Sequence, residues 1–302
     1  MRVFLDNVDP GSNSGPNSFG RKLMSALRSA GHQTVRSGDS PDIQLAFIMA
    51  GLTVAPIIQR LDGIYFSTHQ DWNAMNVPIH ETYSRASSVI FQSDFNRQLT
   101  EKFFGQHANC HIIHNGTDLS AIKKILPLQH SATDAFENVW CCASSWRPHK
   151  RLTQNIKYFQ EHAGKNDCLV IAGKVNEPIQ QDSRVMSVGD LTWEQLVSLY
   201  KRSKYFIHMA HTDHCPNVVV DARAAGCHII CSSSGGTQEI AGLNSTVIQE
   251  DPWDFEPFNL YQPPPLDFTR KSPGTYNSEL DIASVALRYI AVMEGVRNVS
   301  KS

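Results

Sequence analysis

The stretch that decides the fold covers residues 205–241 and reads YFIHMAHTDHCPNVVVDARAAGCHIICSSSGGTQEIA. Residues 205–209 and 228–231 are short apolar runs, which is typical of buried strands. A helix is predicted between them, over residues 216–225, and a second one is predicted to begin near Gly236. Strands that alternate with helices form parallel α/β sheets, whose ligands bind where the strands end. The loops after these two strands are therefore the first candidates for a site.

The same alternation runs through the rest of the chain and divides it into two halves. The segment 126–138 between them is polar, carries Pro127 and has no clear period. We therefore predict an α/β protein with two doubly wound, Rossmann-like domains. The predicted strands lie at 3–5, 43–49, 88–91 and 111–114 in the first half and at 139–143, 168–172, 205–209 and 228–231 in the second. The predicted domains cover residues 1–128 and 129–277, and a C-terminal segment covers 278–302.

The end of the chain changes character twice. Residues 251–273 contain six Pro, which excludes a regular helix or a central strand and predicts an extended surface loop. After this loop comes a predicted amphipathic helix whose apolar stripe is formed by Leu280, Ala283, Leu287 and Ile290. We expect this closing helix to pack back across the two domains.

Composition and charge narrow the class of protein. The 302 residues carry 27 Lys and Arg against 29 Asp and Glu, so no overall field attracts nucleic acid. Seven Cys without repeated spacing do not indicate a disulfide framework, and the N-terminus lacks the features of a signal peptide. The longest apolar stretch, residues 45–58, is interrupted by Thr53 and Pro56 and is too short to span a membrane. We expect a cytoplasmic protein.

A glycine-rich loop follows the first predicted strand. Residues 15–20 resemble the opening of a P-loop, but a P-loop continues with Lys and then Ser or Thr, whereas this chain has Arg21 and Lys22. Pro16 also removes one backbone N–H from the phosphate cradle. The nucleotide-triphosphatase interpretation is therefore rejected. The loop at Gly15 can still be an anion site before a helix N-terminus, or a plain turn.

Several cations follow the strand at residues 139–143. Arg147, Lys150 and Arg151 lie where α/β domains bind their ligands. Arg can hold two phosphate oxygens in a fork, and Lys acts as a point charge. A solvated basic turn is the alternative interpretation.

The densest group of candidate residues follows the strand at 205–209. Pro216 suits the first turn of a helix, which places the N–H groups of Asn217 and Val218 at the helix start. These donors and the positive end of the helix dipole favour a diphosphate. Asp213 precedes the helix and Asp221 lies within it. Two carboxylates are not expected to contact a phosphate, because both groups are negative. Their position beside a phosphate site instead favours hydrogen bonds accepted from sugar hydroxyls on either side of it.

A second glycine-rich turn follows the strand at 228–231. Gly235 and Gly236 let the backbone approach a ligand closely, and Glu239 lies in the first turn of the next helix. A purely structural turn has the same pattern. These residues therefore support a site only in combination with the others.

A zinc site is the rival interpretation of the same region. Its ligands would come from His208, His211, His214, Cys215, Cys227, His228 and Cys231. No paired-cysteine or standard histidine spacing supports this set, and Cys227 and Cys231 flank a buried-strand pattern. Zinc remains the minor alternative.

Together these residues resemble the retaining glycosyltransferases of family four. That family carries a Glu, seven residues and a second Glu, then a small-residue helix, a strand and a Gly-Gly-x-x-Glu turn. The matching positions are Asp213, Asp221 and the turn of Gly235, Gly236 and Glu239. Both acids are Asp where the family has Glu, so each is one methylene shorter. The resemblance implies the GT-B architecture, in which two Rossmann-like domains face a central cleft.

The resemblance also implies a role for each matching residue in the second half. Asp213 would face the donor sugar as a catalytic residue, and Asp221 would bind the ribose. Arg147 and Lys150 would hold the donor diphosphate, with Arg151 as a substitute because the spacing is tighter than usual in the family.

The first half is similar to the family at residues 83–95 and 113–118. There the Gly15 loop resembles the family's loop that faces the donor phosphates. His69 resembles a catalytic His near the reacting sugar, and residues 60–63 are expected in the cleft. The first domain is short for this fold, so its acceptor-binding part is expected to be trimmed.

The implied activity is transfer of a sugar from a UDP- or GDP-sugar to a hydroxyl of a glycan, glycolipid or glycoprotein. The anomeric configuration would be retained, and no metal or cofactor would be required. The implied partners exclude nucleic acid and leave a weak peripheral membrane association open. A non-catalytic sugar-nucleotide-binding protein of the same fold is the first alternative. A dinucleotide-dependent epimerase or oxidoreductase is the second, although the chain lacks a Gly-x-Gly-x-x-Gly turn after a strand.

Overall fold

The computed structural model describes residues 1–12, 14–175, 179 and 182–299. The chain divides into two compact units, each built on its own mostly parallel sheet. The first unit contains Met1–Asp118, Phe255–Phe258 and Glu279–Ser302, and the second contains Leu119–Asp254 and Asn259–Ser278. The prediction of an α/β fold with two doubly wound domains is confirmed. Residues 300–302 of the predicted C-terminal segment lie outside the described residues.

The first unit holds a six-stranded parallel sheet. Its strands are β1 (Arg2–Asp6), β2 (Gln33–Val35), β3 (Ile43–Phe47), β4 (Ile57–Leu61), β5 (Ser88–Phe91) and β6 (Cys110–Ile112), in the order β2-β1-β3-β4-β5-β6. The chain leaves β1 toward β2 on one side and returns to β3 on the other. The carboxyl ends of β1 and β3 therefore form the topological switch point, where ligands of doubly wound sheets bind.

Three helices of the first unit follow strands, namely α1 (Gly15–Ser29), α2 (Trp72–Arg85) and α3 (Asp94–Phe104). In the sequence, Phe19, Leu23 and Leu27 recur at the helical period and predict the inner face of α1. This face is confirmed, because all three residues are completely buried. The link from β3 to β4 is short and contains no helix. The first domain is short partly for this reason, since a helical crossover is absent from these described residues.

The second unit holds a seven-stranded sheet in the order β13-β12-β11-β10-β7-β8-β9. Its strands are β7 (Asn138–Ala143), β8 (Asp167–Ala172), β9 (Val185–Gly189), β10 (Tyr205–His208), β11 (His228–Ser232), β12 (Ser245–Ile248) and β13 (Lys271–Pro273). Its helices are α4 (Leu119–Lys124), α5 (Ser131–Asp134), α6 (Leu152–His162), α7 (Trp193–Arg202), α8 (Asn217–Ala224) and α9 (Thr237–Ala241). The switch point lies between β7 and β10, because the chain runs from β7 to β8 and β9 and then crosses to β10.

The second unit begins at Leu119, earlier than the predicted boundary after residue 128. The physical reason is a set of hydrogen bonds that tie the segment after α4 to α7. Ser198 O accepts from Leu128 N–H at 2.9 Å, and Ser198 Oγ donates to Leu126 O at 2.8 Å. Lys201 Nζ donates to Ile125 O at 2.5 Å. These bonds attach the segment to α7, so it belongs to the second unit.

The proline-rich segment contains no helix or strand between residues 251 and 270, as predicted. Its last residues form β13, which pairs antiparallel with β12 at the edge of the sheet. Pro273 is tolerated there because an edge strand does not need every N–H. Phe255 and Phe258 belong to the first unit, where their rings contact Phe95 and Phe66 at 5.9 and 5.6 Å between centroids.

The closing helix α10 (Ile282–Val299) belongs to the first unit and packs on α1. Its buried face is formed by Ile282, Val285, Ala286, Tyr289, Ile290, Met293 and Val296. The predicted stripe is wrong except at Ile290, since Ala283 and Leu287 are exposed and Leu280 precedes the helix. The observed face also follows the helical period, because its members recur at spacings of three and four, so the period alone does not decide which face is buried.

Arg60 joins α10 to the sheet of the first unit. The residue is completely buried; its Nε donates to Tyr289 Oη at 3.1 Å, and its Nη2 donates to Asn115 Oδ1 at 2.6 Å. The guanidinium also pairs with Asp62 and lies 4.3 Å from the ring centroid of Phe19. Arg60, the first of the residues 60–63 expected in the cleft, is therefore buried by contacts within its own unit.

Candidate functional site

The candidate site lies at the switch point of the second sheet. The loop after β7 and the loop after β10 meet there, because these strands are neighbours although 61 residues of chain separate the end of β7 from the start of β10. His211 N–H donates to His149 O at 2.8 Å and joins the two loops. Pro148 opens the 3₁₀ turn Pro148–Lys150, which ends the first loop and sets the position of Lys150.

An ion pair between Lys150 and Asp213 forms the centre of the site. Lys150 Nζ lies 2.5 Å from Asp213 Oδ2, and the two side chains are only 18% and 15% exposed. His208 Nε2 lies 3.0 Å from Asp213 Oδ2, within hydrogen-bond distance, and Asp213 Oδ1 accepts a hydrogen bond from His214 N–H at 3.1 Å. Burial by itself would raise the pKa of Asp213, but the charge of Lys150 and the bond from His208 outweigh burial and hold this pKa well below its usual range. Asp213 is therefore a carboxylate at neutral pH.

The glycine turn after β11 closes on the backbone of Asp213. Gly236 N–H donates to Asp213 O at 2.8 Å, and Gly235 forms a parallel bridge with Asp213. Gly235 has a φ of +85°, and a Cβ there would overlap the backbone oxygen of Asp213. The two glycines thus let the turn approach the backbone of the Asp213 loop closely, and the turn holds this loop in place.

Helix α8 begins beside this turn. Its first two residues are Asn217 and Val218, and Pro216 is the N-cap, with an extended ψ of 121°. Pro216 therefore precedes the helix, one residue outside the predicted span. The first N–H groups of a helix have no acceptor within it and carry the positive end of its dipole. The predicted anion-binding end of α8 thus lies in the chain segment directly after Asp213.

Asp221 lies inside α8, buried, and contacts α7. Its Oδ2 accepts a hydrogen bond of 3.0 Å from Nε1 of Trp193, the first residue of α7. The sequence did not indicate this bond, which joins α7 to α8. Contact of Asp221 with a ribose stays a prediction.

The three cations after β7, Arg147, Lys150 and Arg151, differ in exposure and in the groups that they contact. Arg147 is exposed and lines a cavity of about 610 Å³. This cavity is formed by Trp146, Arg147, Pro148, Arg151, Leu152, Thr153, Gln154, Val175, Tyr261, Pro263, Pro264 and Pro265. Lys150 lies in the ion pair with Asp213. Of the two cations predicted to hold a diphosphate, only Lys150 is in contact with a predicted sugar-binding residue.

Arg151 is a structural cation. It is 4% exposed, and its two terminal nitrogens each donate to a carboxylate oxygen of Glu250 at 2.8 Å. One of them also donates to Pro264 O at 2.7 Å. Burial would raise the pKa of Glu250, but the bonds from Arg151 and His211 prevail and lower it to about 2. The prediction that Arg151 substitutes in diphosphate binding is wrong, because this fork already holds a buried carboxylate.

The remaining predicted residues occupy separate places. Glu239 is buried in the short helix α9. Gly15 is the first residue of α1, after β1, and His69 lies in the loop after β4 with its Nδ1 2.6 Å from Ser67 Oγ. Gly15 and His69 thus follow parallel strands at the carboxyl edge of the first sheet. Their roles toward a ligand stay predictions.

The residues of the zinc interpretation are dispersed. Among the described residues, no three His, Cys, Asp or Glu side chains are arranged to hold a metal ion together. His211 Nδ1 lies 2.9 Å from Ser234 Oγ, and Cys227 Sγ lies 3.1 Å from Tyr200 O. Cys231 is completely buried in β11. These side chains take part in local packing and hydrogen bonds.

Sequence reasoning missed two residues of this region. His208 was considered only as a zinc ligand, although a histidine that ends an apolar strand already indicates a polar partner at the strand's end. Glu250 is the second residue after β12, and Ser232 Oγ donates to it. An acid two residues after a strand is the sequence signal that indicates it.

Comparison with known proteins gives a family-model match to part of the chain and solved structures of the same fold. Residues 129–254 match the family model described as glycosyl transferases group 1, a range that lies within the second unit. No curated protein sequence matches the chain. Among solved structures, sucrose-phosphate synthase from Thermosynechococcus elongatus is similar with a TM-score of 0.65 and 13% identity, over 99% of this chain and 93% of that one.

Two further structures show the same likeness. AviGT4, a glycosyltransferase involved in avilamycin A biosynthesis, has a TM-score of 0.62 and 14% identity over 99% of this chain and 98% of its own. HepE from Anabaena, in complex with UDP-glucose, has a TM-score of 0.59 and 12% identity over 99% and 94%. At these identities the likeness establishes the fold, two Rossmann-like domains of the GT-B type. No helix in the described part of the chain has the length and apolar character that a bilayer crossing requires.

Proposed function

We propose that this protein is a glycosyltransferase that moves a sugar from a nucleotide diphosphate sugar to a hydroxyl acceptor. One observation carries the proposal. A lysine and a carboxylate are paired at the switch point of the sheet, in the part of the chain that matches the group 1 glycosyl transferases. HepE, a structure of the same fold, is in complex with UDP-glucose. UDP-sugars are therefore the first donors to examine.

The residues of the second unit suit the charge that develops in such a transfer. Negative charge grows on the departing diphosphate, and a fixed cation and helix N–H groups lower the barrier when they face it. We assign this role to Lys150 and to the first residues of α8, Asn217 and Val218, with Arg147 as a second, exposed cation. Asp213 accepts hydrogen bonds from hydroxyls of the donor sugar, and Asp221 accepts from the ribose.

The reaction would proceed with retention of the anomeric configuration. The acceptor oxygen attacks the anomeric carbon on the face that the diphosphate leaves. The bond from the anomeric carbon to the diphosphate oxygen breaks, and that oxygen takes the acceptor's proton. Because Lys150 and the helix N-terminus neutralise the leaving group, this scheme assigns no step to a metal ion.

The first unit would contribute His69 near the reacting sugar and the Gly15 loop near the phosphates. The acceptor is a hydroxyl of a glycan, glycolipid or glycoprotein, and the reaction takes place in the cytoplasm. The short link between β3 and β4 supports a trimmed acceptor side.

Nucleotide binding tests the donor class. Thermal unfolding is measured with UDP, GDP, ADP and NAD, and stabilisation by a nucleoside diphosphate without stabilisation by NAD is expected. Stabilisation by NAD alone would support a dinucleotide enzyme and contradict the proposal.

Turnover separates an enzyme from a binder. Release of nucleoside diphosphate from a panel of UDP- and GDP-sugars is followed with glycan acceptors present, and the product's anomeric proton coupling is read by NMR. Tight nucleotide binding with no release on any donor would favour the non-catalytic sugar-nucleotide-binding protein. Inversion at the anomeric carbon would overturn the same-face scheme while leaving the transferase assignment intact.

A further inference from the structure

His208 lies beneath the ion pair of Lys150 and Asp213, and the transfer described above does not use it. It is the last residue of β10 and is 4% exposed. Its ring is nearly parallel to that of Phe206, at 13° and 6.3 Å between centroids, and its Nε2 lies 3.0 Å from Asp213 Oδ2. The histidine therefore approaches the carboxylate from within the sheet.

The chemistry of the two groups fixes the direction of this hydrogen bond. A carboxylate oxygen only accepts, so the hydrogen resides on Nε2 and His208 is the donor. Burial lowers the pKa of His208, against the opposing effect of Asp213. A buried histidine of this kind is neutral near pH 7, and the charged groups that act on it are Asp213 and Lys150.

The two side chains that donate to Asp213 Oδ2, Lys150 and His208, respond differently to an arriving diphosphate. Lys150 is a flexible cation that a diphosphate attracts, and movement of its ammonium group toward the phosphates weakens its bond to Asp213 Oδ2. His208 is held by the strand and carries no charge for the diphosphate to attract. Asp213, at 15% exposure, needs a remaining partner beside a second anion, because an unpaired buried carboxylate is costly.

We infer that His208 is a positioning residue, which holds the carboxylate of Asp213 toward the donor sugar while Lys150 moves to the diphosphate. This inference rests on the proposed function. The bond matters more in this chain than in one with Glu at the same position, because the shorter Asp side chain reaches less far and must be fixed at its tip.

The experiment compares His208→Leu, which removes the donor, with His208→Gln, whose amide nitrogen can replace Nε2. His228→Leu is the matched control, because His228 begins the neighbouring strand and contacts Thr246 at 2.9 Å, away from the site. With the parent's best sugar nucleotide, His208→Leu is expected to lower kcat about tenfold with KM changed less than about threefold. His208→Gln should recover at least about a third of the parent kcat, and His228→Leu should match the parent.

The affinity of the variants for UDP distinguishes a positioning role of His208 from a purely structural one. UDP lacks the sugar that Asp213 faces, so His208→Leu should bind UDP as the parent does. Parent-like kcat in His208→Leu, or His208→Gln no better than His208→Leu, would overturn the inference. So would a joint loss of UDP affinity and thermal stability in both variants, since that pattern marks a structural residue.

A second measurement does not depend on turnover. The titration of the Asp213 carboxyl is followed by carbon NMR in Lys150→Met and in Lys150→Met with His208→Leu. Removing His208 in this background, which imitates the departed lysine, should raise the apparent pKa of Asp213. An unchanged pKa would overturn the inference. Failure of the proposed function would instead show as no sugar-nucleotide turnover by the parent, with this coupling still present.

Discussion

Neutralising Asp213 should tighten the binding of UDP while reducing turnover of a sugar nucleotide. In the ligand-free protein Lys150 is already paired with Asp213 at 2.5 Å. A diphosphate must therefore compete with this carboxylate for the lysine. Asp213→Asn removes the competing charge and retains the shape of the side chain, so the lysine becomes available to the phosphates.

The size of the effect follows from the geometry. At an effective dielectric constant of about 20, unit charges 2.5 Å apart attract by about 7 kcal/mol, but desolvation offsets most of this. The net contribution of a charge-assisted hydrogen bond is about 1.5–3 kcal/mol. Because Lys150 shares its donors between both anions, we expect the lower end, about 1.5 kcal/mol or tenfold in the dissociation constant.

Titration calorimetry with UDP at low salt measures this gain. Lys150→Met alone should weaken UDP binding by about tenfold or more, and in that background Asp213→Asn should give no gain. Asp267→Asn is the control, because Asp267 is an exposed carboxylate of the same unit that bonds Thr269. Weaker or unchanged UDP binding in a stable Asp213→Asn variant would refute the competition. An equal gain with and without Lys150 would show that the lysine is not the group released.

Three further outcomes follow from the same contacts. Glu250→Gln should destabilise the protein by about 3 kcal/mol at neutral pH in urea unfolding, because it leaves the guanidinium of Arg151 without its buried carboxylate. The folded pKa of Glu250 is about 2, below its ordinary value of 4.5, so the stability that it contributes is present above pH 4.5 and is lost as pH falls toward 2. Glu250→Gln should lack this pH dependence. A variant whose stability falls with pH as the parent's does would contradict the role of the Arg151–Glu250 pair. Gly235→Ala should lower the free energy of unfolding by about 2 kcal/mol or more and impair turnover, because its Cβ would overlap Asp213. Gly226→Ala, at a positive φ with open space around it, should lower it by only about 1 kcal/mol, from backbone strain. Equal losses would show that the clash with Asp213 is unimportant. Turnover should survive removal of divalent cations by EDTA, since the proposed scheme assigns neutralisation of the leaving group to Lys150 and α8. A loss restored by added Mn²⁺ would refute this.

Local patterns predicted the elements that hold the site. The strands β7, β8, β10 and β11 and the helix α8 lie close to their predicted positions. Phe19, Leu23 and Leu27 formed a correct inner face, because a helix buries residues at its own period of 3.6. The same reasoning failed at α10, where Leu287 is 61% exposed. Several apolar faces compete in such a helix, and only its contact with α1 decides which one is buried.

The sequence by itself determined the α/β class, the division into two doubly wound halves and the loops that carry candidate residues. These properties are local, since periodicity and capping depend on residues a few positions apart. Only the tertiary structure decided the partners. Lys150 and Asp213 are 63 residues apart and Arg151 and Glu250 are 99 apart. Their pairing depends on β10 lying beside β7 and on the path of the chain after β12, which bring Lys150 to Asp213 and make Arg151 a buried structural cation.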